Sequence, residues 1–300
     1  MNGGVHFRTH AKINLFLRVF GLRADGYHEV ETILHGIGLA DDFEIRPTRT
    51  GQVEIDVRFA DGVKGQAPAL KENVLYRAAQ ALMAAGGHNP GVSVRVIKRI
   101  PPGAGLGGGS GNAAGALVIL SELWAVEFDR DAMYELAAGL GSDVGYCLEG
   151  GTALATSRGE ELTTLPAPVD MWFVLGISSD PLLTADVYEA WDSMGGFTGD
   201  EASGAAMTLA LGAGDPREVA ALLHNDLERV AFELRTDLKE KKEAMVRAGA
   251  LGASVTGSGP TIYGVASDEA HARTVAHAVE ADFESVVVVK SQPRCIERLE

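Results

Sequence analysis

The sequence predicts an α+β protein built as two domains that meet near residue 165. Three observations carry this. A chain of 300 residues exceeds what one hydrophobic core usually serves. The stretch "QVEIDVRF" (52–59) alternates strictly, with Val53, Ile55, Val57 and Phe59 on one face and Glu54, Asp56 and Arg58 on the other. Such alternation marks a sheet with one wet side, antiparallel or mixed rather than purely parallel. Beyond "LPAPVD" (165–170), whose two prolines suit a linker, the pattern reduces to β-α-β-β-α-β, the split βαβ of a ferredoxin-like sandwich.

Taken in order, "AKINLFLRVFG" (11–21) reads as a buried strand. "DFEIRPT" (42–48) and "QVEIDVRF" flank a turn at Thr50-Gly51. "NVLYRAAQALMAAGG" (73–87) is a helix with Asn73 as N-cap and glycines at its end. The strand "VSVRVIK" (92–98), a glycine loop, and a helix from about Asn112 to Trp124 follow. "RDAMYELAAGLG" (130–141) is a further helix that stops at "GSD" (141–143), and "GGTALATS" (150–157) is a strand. Past the linker come a strand (171–177), helices, strands at 252–256 and 261–266, a helix (268–280) and a strand (284–290). "MGGFTGDEASGAAM" (194–207) reads as a mobile surface loop. The expected domains are therefore 1–165 and 166–300.

The formal net charge of −15 excludes a general nucleic-acid or anionic-membrane surface, which would need a basic excess. It leaves room for one small anionic ligand in a locally positive pocket. Cys147 and Cys295 are the only cysteines and neither has a CxxC or Cys/His neighbour, so neither a disulfide framework nor a zinc site is expected. The N-terminal stretch has no basic region followed by a long apolar core, and apolar runs fall short of the ~20 residues that span a bilayer. The expected location is the cytoplasm.

The loop "IPPGAGLGGGSGNAAG" (100–115) carries the strongest functional signal. Three occupants compete: a dinucleotide, a nucleoside triphosphate, or none. Gly103, Gly105 and Gly108 spell G-x-G-x-x-G between a strand and a helix, but a dinucleotide fold also needs a second parallel strand ending in an acidic residue. Here the following segment is mostly another helix. A Walker loop is excluded too, because the loop contains no lysine. A plain tight turn would need only one or two glycines. Gly103, Gly105, Gly107, Gly108, Gly109 and Gly111 fill six of nine positions, each at a cost of roughly 0.5–1 kcal/mol against alanine in a regular element. So dense a run suits backbone N–H groups that face a ligand. The helix N-terminus adds about half a positive charge, and Ser110 adds a hydroxyl. Phosphate fits that chemistry best.

Residues 101–110 match Pro-x-x-x-Gly-Leu-Gly-Ser/Gly-Ser/Gly-Ser/Ala, and so the loop resembles the second motif of the GHMP kinases. "AKINLFLRVFGLRADGYHEVET" (11–32), "LGSDVGYCLEGGTALATSRGEEL" (140–162) and "GASVTGSGPTIYGV" (252–265) resemble that superfamily's other motifs in the same order. "RADGYH" is similar to the branch whose substrate is 4-diphosphocytidyl-2-C-methyl-D-erythritol. The resemblance implies a two-domain fold, ribosomal-S5-like then ferredoxin-like, with ATP and Mg²⁺ bound between the halves. It also implies phosphorylation of the substrate's 2-hydroxyl in the non-mevalonate isoprenoid pathway.

Carried over residue by residue, the resemblance makes Asp143 the base that accepts the hydroxyl proton and Lys12 its partner. An aspartate is a feeble base for an alcohol, yet in a loose phosphoryl transition state positioning outweighs basicity. Lys12 stands between Ala11 and Ile13 in a strand, where a lysine is costly unless paired. Asn14, two residues on, shares its face and joins the expected substrate site. Tyr27 and His28 would hold the cytosine, by stacking and by hydrogen bonds to its polar edge. Thr184 and Tyr188 are further substrate residues, with helix-cap and core roles as the competing reading. The nucleotide site comprises Pro101, Pro102, Gly103, Ala104, Gly105, Leu106, Gly107, Gly108, Gly109, Ser110 and Gly111. Gly111 stands where the superfamily commonly has serine, which predicts a missing phosphate contact. No direct Mg²⁺ ligand is assigned. Another GHMP kinase, acting on mevalonate, homoserine or a sugar, and a non-catalytic ligand-binding relative are the competing functions.

Overall fold

The computed structural model describes residues 4–86, 91–166, 170–178, 180–196 and 203–299. Its first half runs β1 (Val5–Leu22), β2 (His28–Pro47), β3 (Val53–Phe59), α1 (Val74–Gly86), β4 (Val92–Lys98), α2 (Gly108–Leu123), α3 (Arg130–Leu140), α4 (Val144–Glu149), β5 (Thr152–Thr156) and β6 (Glu161–Thr164). Its second half runs β7 (Trp172–Ile177), α5 (Thr184–Ser193), α6 (Gly204–Ala213), α7 (Pro216–Ala221), β8 (His224–Asn225), α8 (Glu228–Leu234), α9 (Asp237–Arg247), β9 (Gly252–Val255), β10 (Ile262–Ala266), α10 (Glu269–Ala278), β11 (Ser285–Lys290) and β12 (Ile296–Arg298).

The first sheet is mixed, as the one-sided alternation predicts. Its main path is β12-β1-β2-β4-β3, with β5 joined to β2 and β6, and β8 joined to β1. β3 keeps its half-wet face: Val53 is buried, Ile55, Val57 and Phe59 are partly covered, and Glu54, Asp56 and Arg58 are exposed. The Thr50-Gly51 turn does not pair the strands that flank it, because β4 lies between them and runs parallel to β3. Helices α1, α2 and α3 cover one face of this sheet over a core that includes Phe7, Phe43, Leu82 and Leu117. Asn73 caps α1 as expected, its Oδ1 accepting from Leu75 N at 2.9 Å.

The second sheet has the order β11-β7-β10-β9 with every neighbour antiparallel, the ferredoxin-like arrangement the strand pattern predicts. The two halves trade segments. β8 and β12 both pair with β1, and one apolar cluster joins Ile13, Phe16 and Ile33 to Phe173, Leu175 and Tyr263. The chain therefore buries a shared interior at the junction of its two sheets.

Two sequence expectations need correction. Helix α2 starts at Gly108, not near Asn112, so half of the glycine run is helical; from Gly111 onward the helix is buried against the first core, and that packing overrides weak propensity. Residues 204–207 are not loop but the first turn of α6, where Gly204 and Met207 are buried and Ser203 caps. Residues 197–202 of that stretch, and 167–169 of the linker, lie outside the described residues. Among the described residues no helix is long and apolar enough to cross a membrane.

Candidate active site

One cleft of about 1,000 Å³ is lined from both halves of the chain. The glycine loop forms one wall of it. Gly103, Gly105 and Gly107 take left-handed conformations, with φ of 69°, 75° and 71°, which only glycine adopts freely. Space is as restrictive as angle there: a Cβ on Gly105 would run into the Thr256 carbonyl, and one on Gly107 would lie 2.9 Å from Lys12 Cγ. Gly107 is the N-cap of α2 and offers no side chain to the first helical turn. The Cα–H of Gly109, by contrast, faces open space. Uncapped donors, the helix dipole and an unobstructed approach together make an anion cradle.

Pro101 to Ser110 all line the cleft, but not alike. Ala104 and Leu106 are also buried members of the shared core. Gly111 is the exception and a correction. It is buried, its N–H is spent on Gly107 O at 2.9 Å, and a Cβ there would meet His10 O at 3.4 Å and Cys295 Sγ at 3.5 Å. The position faces β1 and Cys295 and does not line the cleft.

A buried polar clip holds the loop at both ends. Asp41 of β2 is fully buried and accepts from Arg99 N at 2.7 Å, Ile100 N at 2.9 Å and Asn112 Nδ2 at 2.8 Å, and it pairs with Lys98. Lys98 Nζ also donates to Asn112 Oδ1 at 2.8 Å. Thus β4, the start of the loop and helix α2 are all tied to one carboxylate. Asp41 and Asn112 escape a sequence reading, although a lone asparagine in the apolar run of α2 was a readable signal.

Lys12 and Asp143 meet. Lys12 Nζ lies 3.3 Å from Asp143 Oδ2 and donates to Asn14 Oδ1 at 2.9 Å and Gly105 O at 3.2 Å. The β1–β2 ladder slips at His10/Ala11 and again at Asn14/Phe16, and bulges of this kind re-aim the side chains between them. Asp143 occupies the N-cap position of α4 but makes no side-chain cap bond, so its carboxylate is left for the cleft. Asn14 shares the face of Lys12 as expected. Its amide also donates to Thr32 Oγ1 at 2.9 Å, and Thr256 Oγ1 lies 3.2 Å from its Oδ1.

Another part of the wall is aromatic. His28 is nearly buried, stacks on Tyr188 with ring centroids 4.8 Å apart, and meets Trp191 edge-on. Its Nε2 is 2.8 Å from Asp192 Oδ1. A carboxylate only accepts, so in the neutral ring Nε2 carries the proton and Nδ1 is an acceptor. Tyr27 is 53% exposed, with the Arg158 guanidinium 4.9 Å from its ring centroid. Thr184, Tyr188 and Asp192 recur every four residues along α5 and all line the cleft. Thr184 Oγ1 lies 3.1 Å from Ser258 Oγ. Burial pushes the Tyr188 phenol well above its ordinary value, so it stays neutral. Asp192 and Arg158 are the residues here that sequence reasoning missed.

Val57, Phe59, Pro68 and Val96, with Gln66 and Asn73 among them, form a third, mostly apolar part of the wall. The cleft thus combines an anion cradle, a lysine–carboxylate pair and two ring-sized surfaces. Among the described residues no three His, Cys, Asp or Glu side chains gather as a metal site.

This combination defines a class, the small-molecule kinases built around a glycine-loop phosphate cradle. Residues 73–153 match the GHMP kinases N terminal domain and residues 207–285 the GHMP kinases C terminal family. The chain is 44% identical over 284 residues to the 4-diphosphocytidyl-2-C-methyl-D-erythritol kinase of Pelotomaculum thermopropionicum, covering 94% of this chain and 96% of that one. To the enzyme of the same name from Gloeobacter violaceus it is 36% identical, with 90% and 88% covered. A crystal structure of 4-(cytidine 5'-diphospho)-2C-methyl-D-erythritol kinase superposes with a TM-score of 0.77 at 33% identity, over 95% of this chain and 98% of that one. Homoserine kinase from Cytophaga hutchinsonii shares the fold, with a TM-score of 0.76 at 17% identity over 100% and 98% of the two chains. The chain belongs to the GHMP kinases, within the family of the 4-diphosphocytidyl-2-C-methyl-D-erythritol kinases, and is an ATP-dependent small-molecule kinase.

Proposed function

We propose that this kinase phosphorylates the 2-hydroxyl of 4-diphosphocytidyl-2-C-methyl-D-erythritol, in the cytoplasm, as a step of the non-mevalonate isoprenoid pathway. The observation that carries the substrate is the aromatic cluster Tyr27, His28 and Tyr188 in the same cleft as Lys12 and Asp143. Mevalonate and homoserine contain no base to stack or to hydrogen-bond, and would leave this surface without use.

Asp143 receives the proton of the substrate hydroxyl as its oxygen closes on the γ-phosphorus. Lys12 holds that carboxylate in place and offsets charge at the transferring group, and Asn14 in turn holds Lys12. The first turn of α2 receives the phosphates on backbone donors, with Gly109 leaving the approach open. Mg²⁺ bound with ATP supplies charge neutralisation at the phosphates. Ser110 and Asp143 line the cleft near the loop, and a metal held chiefly by phosphate and water needs few such ligands. Tyr27 and Tyr188 give stacking surfaces for the cytosine. His28, with Asp192 fixing its tautomer, offers an acceptor that suits an exocyclic amine.

Coupled ADP release with purified protein tests the reading, offering 4-diphosphocytidyl-2-C-methyl-D-erythritol, mevalonate and homoserine in parallel. Turnover is expected with the first alone. No ADP from it, or faster turnover of another substrate, overturns the proposal.

A further inference from the structure

The substrate proposed above brings a diphosphate into a cleft that is poor in free positive charge. Three cations line it: Lys12, Lys98 and Arg158. Lys12 has its three donors directed to Asn14, Gly105 O and Asp143. Lys98 is committed to Asp41 and Asn112. Arg158 differs. Its Nε donates to Glu160 Oε1 at 3.0 Å, while its two terminal nitrogens make no hydrogen bond among the described residues. Four carboxylates share the same lining, Glu72, Asp143, Glu189 and Asp192, on a chain whose net charge is −15.

The turn that carries Arg158 is built, not incidental. Ser157 takes φ of 65°, a left-handed conformation that a non-glycine residue adopts only under constraint. Arg23 Nη1 donates to Ser157 Oγ at 2.8 Å and Val30 N donates to Ser157 O at 2.8 Å, so the tip of the β1–β2 hairpin grips the turn. Glu160 closes it by accepting from Arg158 N at 2.7 Å. The result lays the guanidinium over Tyr27, beside the surface offered to the base.

We propose that Arg158 binds the diphosphate linking cytidine to the methylerythritol, which makes it a substrate-binding residue of this site. The inference rests on the cytidyl reading of the cleft. One planar group can stack on Tyr27 with its face and donate to phosphate oxygens with its edge. Glu160 orients it through Nε and leaves both terminal nitrogens for the ligand.

The test compares wild type with Arg158→Ala and Arg158→Lys, after thermal melts show all three folded. Arg158→Ala is expected to raise KM for the cytidyl substrate about 10–100-fold, with KM for ATP and kcat unchanged within about twofold. Cytidine and cytidine 5'-diphosphate, as inhibitors, separate charge from stacking. Inhibition by the diphosphate should weaken by a similar factor while inhibition by cytidine stays constant, and Arg158→Lys should recover part of the loss. Equal weakening of both inhibitors would reduce Arg158 to a support for Tyr27 and overturn the proposal, as would an unchanged KM. Wild-type enzyme that fails to turn over the cytidyl substrate overturns the substrate reading itself, an outcome distinct from a variant that behaves like an active wild type.

Discussion

Lys12 Nζ and Asp143 Oδ2 lie 3.3 Å apart, with Lys12 almost wholly buried and Asp143 one-third exposed. The exposed partner is the one proposed to face the substrate, and the buried one is fixed by Asn14 and Gly105. Asp143→Asn is expected to lower kcat by roughly 10²–10⁴ while ATP binding, read by calorimetry, stays near wild type. Lys12→Met keeps the aliphatic stem and should lose turnover on a similar scale. Near-normal kcat in Asp143→Asn would remove the carboxylate from the chemistry.

The glycine loop separates fold from function at neighbouring positions. Gly105→Ala places a methyl against the Thr256 carbonyl at a left-handed φ and should lower the melting temperature. Gly109→Ala meets nothing within 4 Å and relieves a helical glycine, for a stability gain of up to about 1 kcal/mol. Its methyl points where phosphates are proposed to lie, so KM for ATP should rise at undiminished stability. Gly111→Ser should change neither KM by more than about twofold, because the new side chain faces His10 and Cys295.

Asp41 is the anchor of the loop. Asp41→Ala strands Lys98 in the interior and frees Arg99 N, Ile100 N and Asn112 Nδ2. Losing one partner of a buried ion pair costs about 3–5 kcal/mol, which urea unfolding would register as a lower midpoint. An unchanged midpoint would show that water or a neighbour replaces the carboxylate.

His35 supplies a pH dependence. It is buried between Thr152 Oγ1 and Ser291 Oγ, each 2.9 Å from a ring nitrogen, and burial lowers its pKa from 6.5 to about 4. The unfolded chain therefore binds the proton first as pH falls, and folding free energy declines between about pH 6.5 and pH 4. The full loss is on the order of 3 kcal/mol. Unfolding midpoints at pH 7 and pH 5 should differ accordingly, and the difference should shrink in His35→Asn.

What the sequence made legible was local. The glycine run, the strand around Lys12 and the aspartate after α3 each stand in a contiguous motif that resembles the GHMP kinases. Strand alternation also placed Asn14 beside Lys12, and the strand–helix order gave the second sheet its topology. Pairs formed across the chain were opaque. Asp41 looks like half of a surface "DD" until β2 carries it under the loop, and Arg158 gains meaning only when the turn after β5 meets the hairpin tip. Asp192 lies one helical turn from Tyr188 on α5, but its contact comes from His28 at the start of β2, a pairing that no local pattern marks. Gly111 misled because its motif position suggests the cleft while the helix that starts at Gly108 rotates it inward.

The pairing of β12 with the start of β1 has a consequence for biosynthesis. Phe7 pairs with Arg298 and Thr9 with Ile296, and His10 N donates to Cys295 O at 2.7 Å. In chain order the strand that carries Lys12 is made well before this edge partner, which exists only once translation has passed residue 298. At the usual pace of ~5–20 residues per second, β1 spends tens of seconds with an open edge beside the glycine loop. A nascent chain stalled before residue 290 should accordingly hold its β1 segment exposed to protease, and synthesis through β12 should close it.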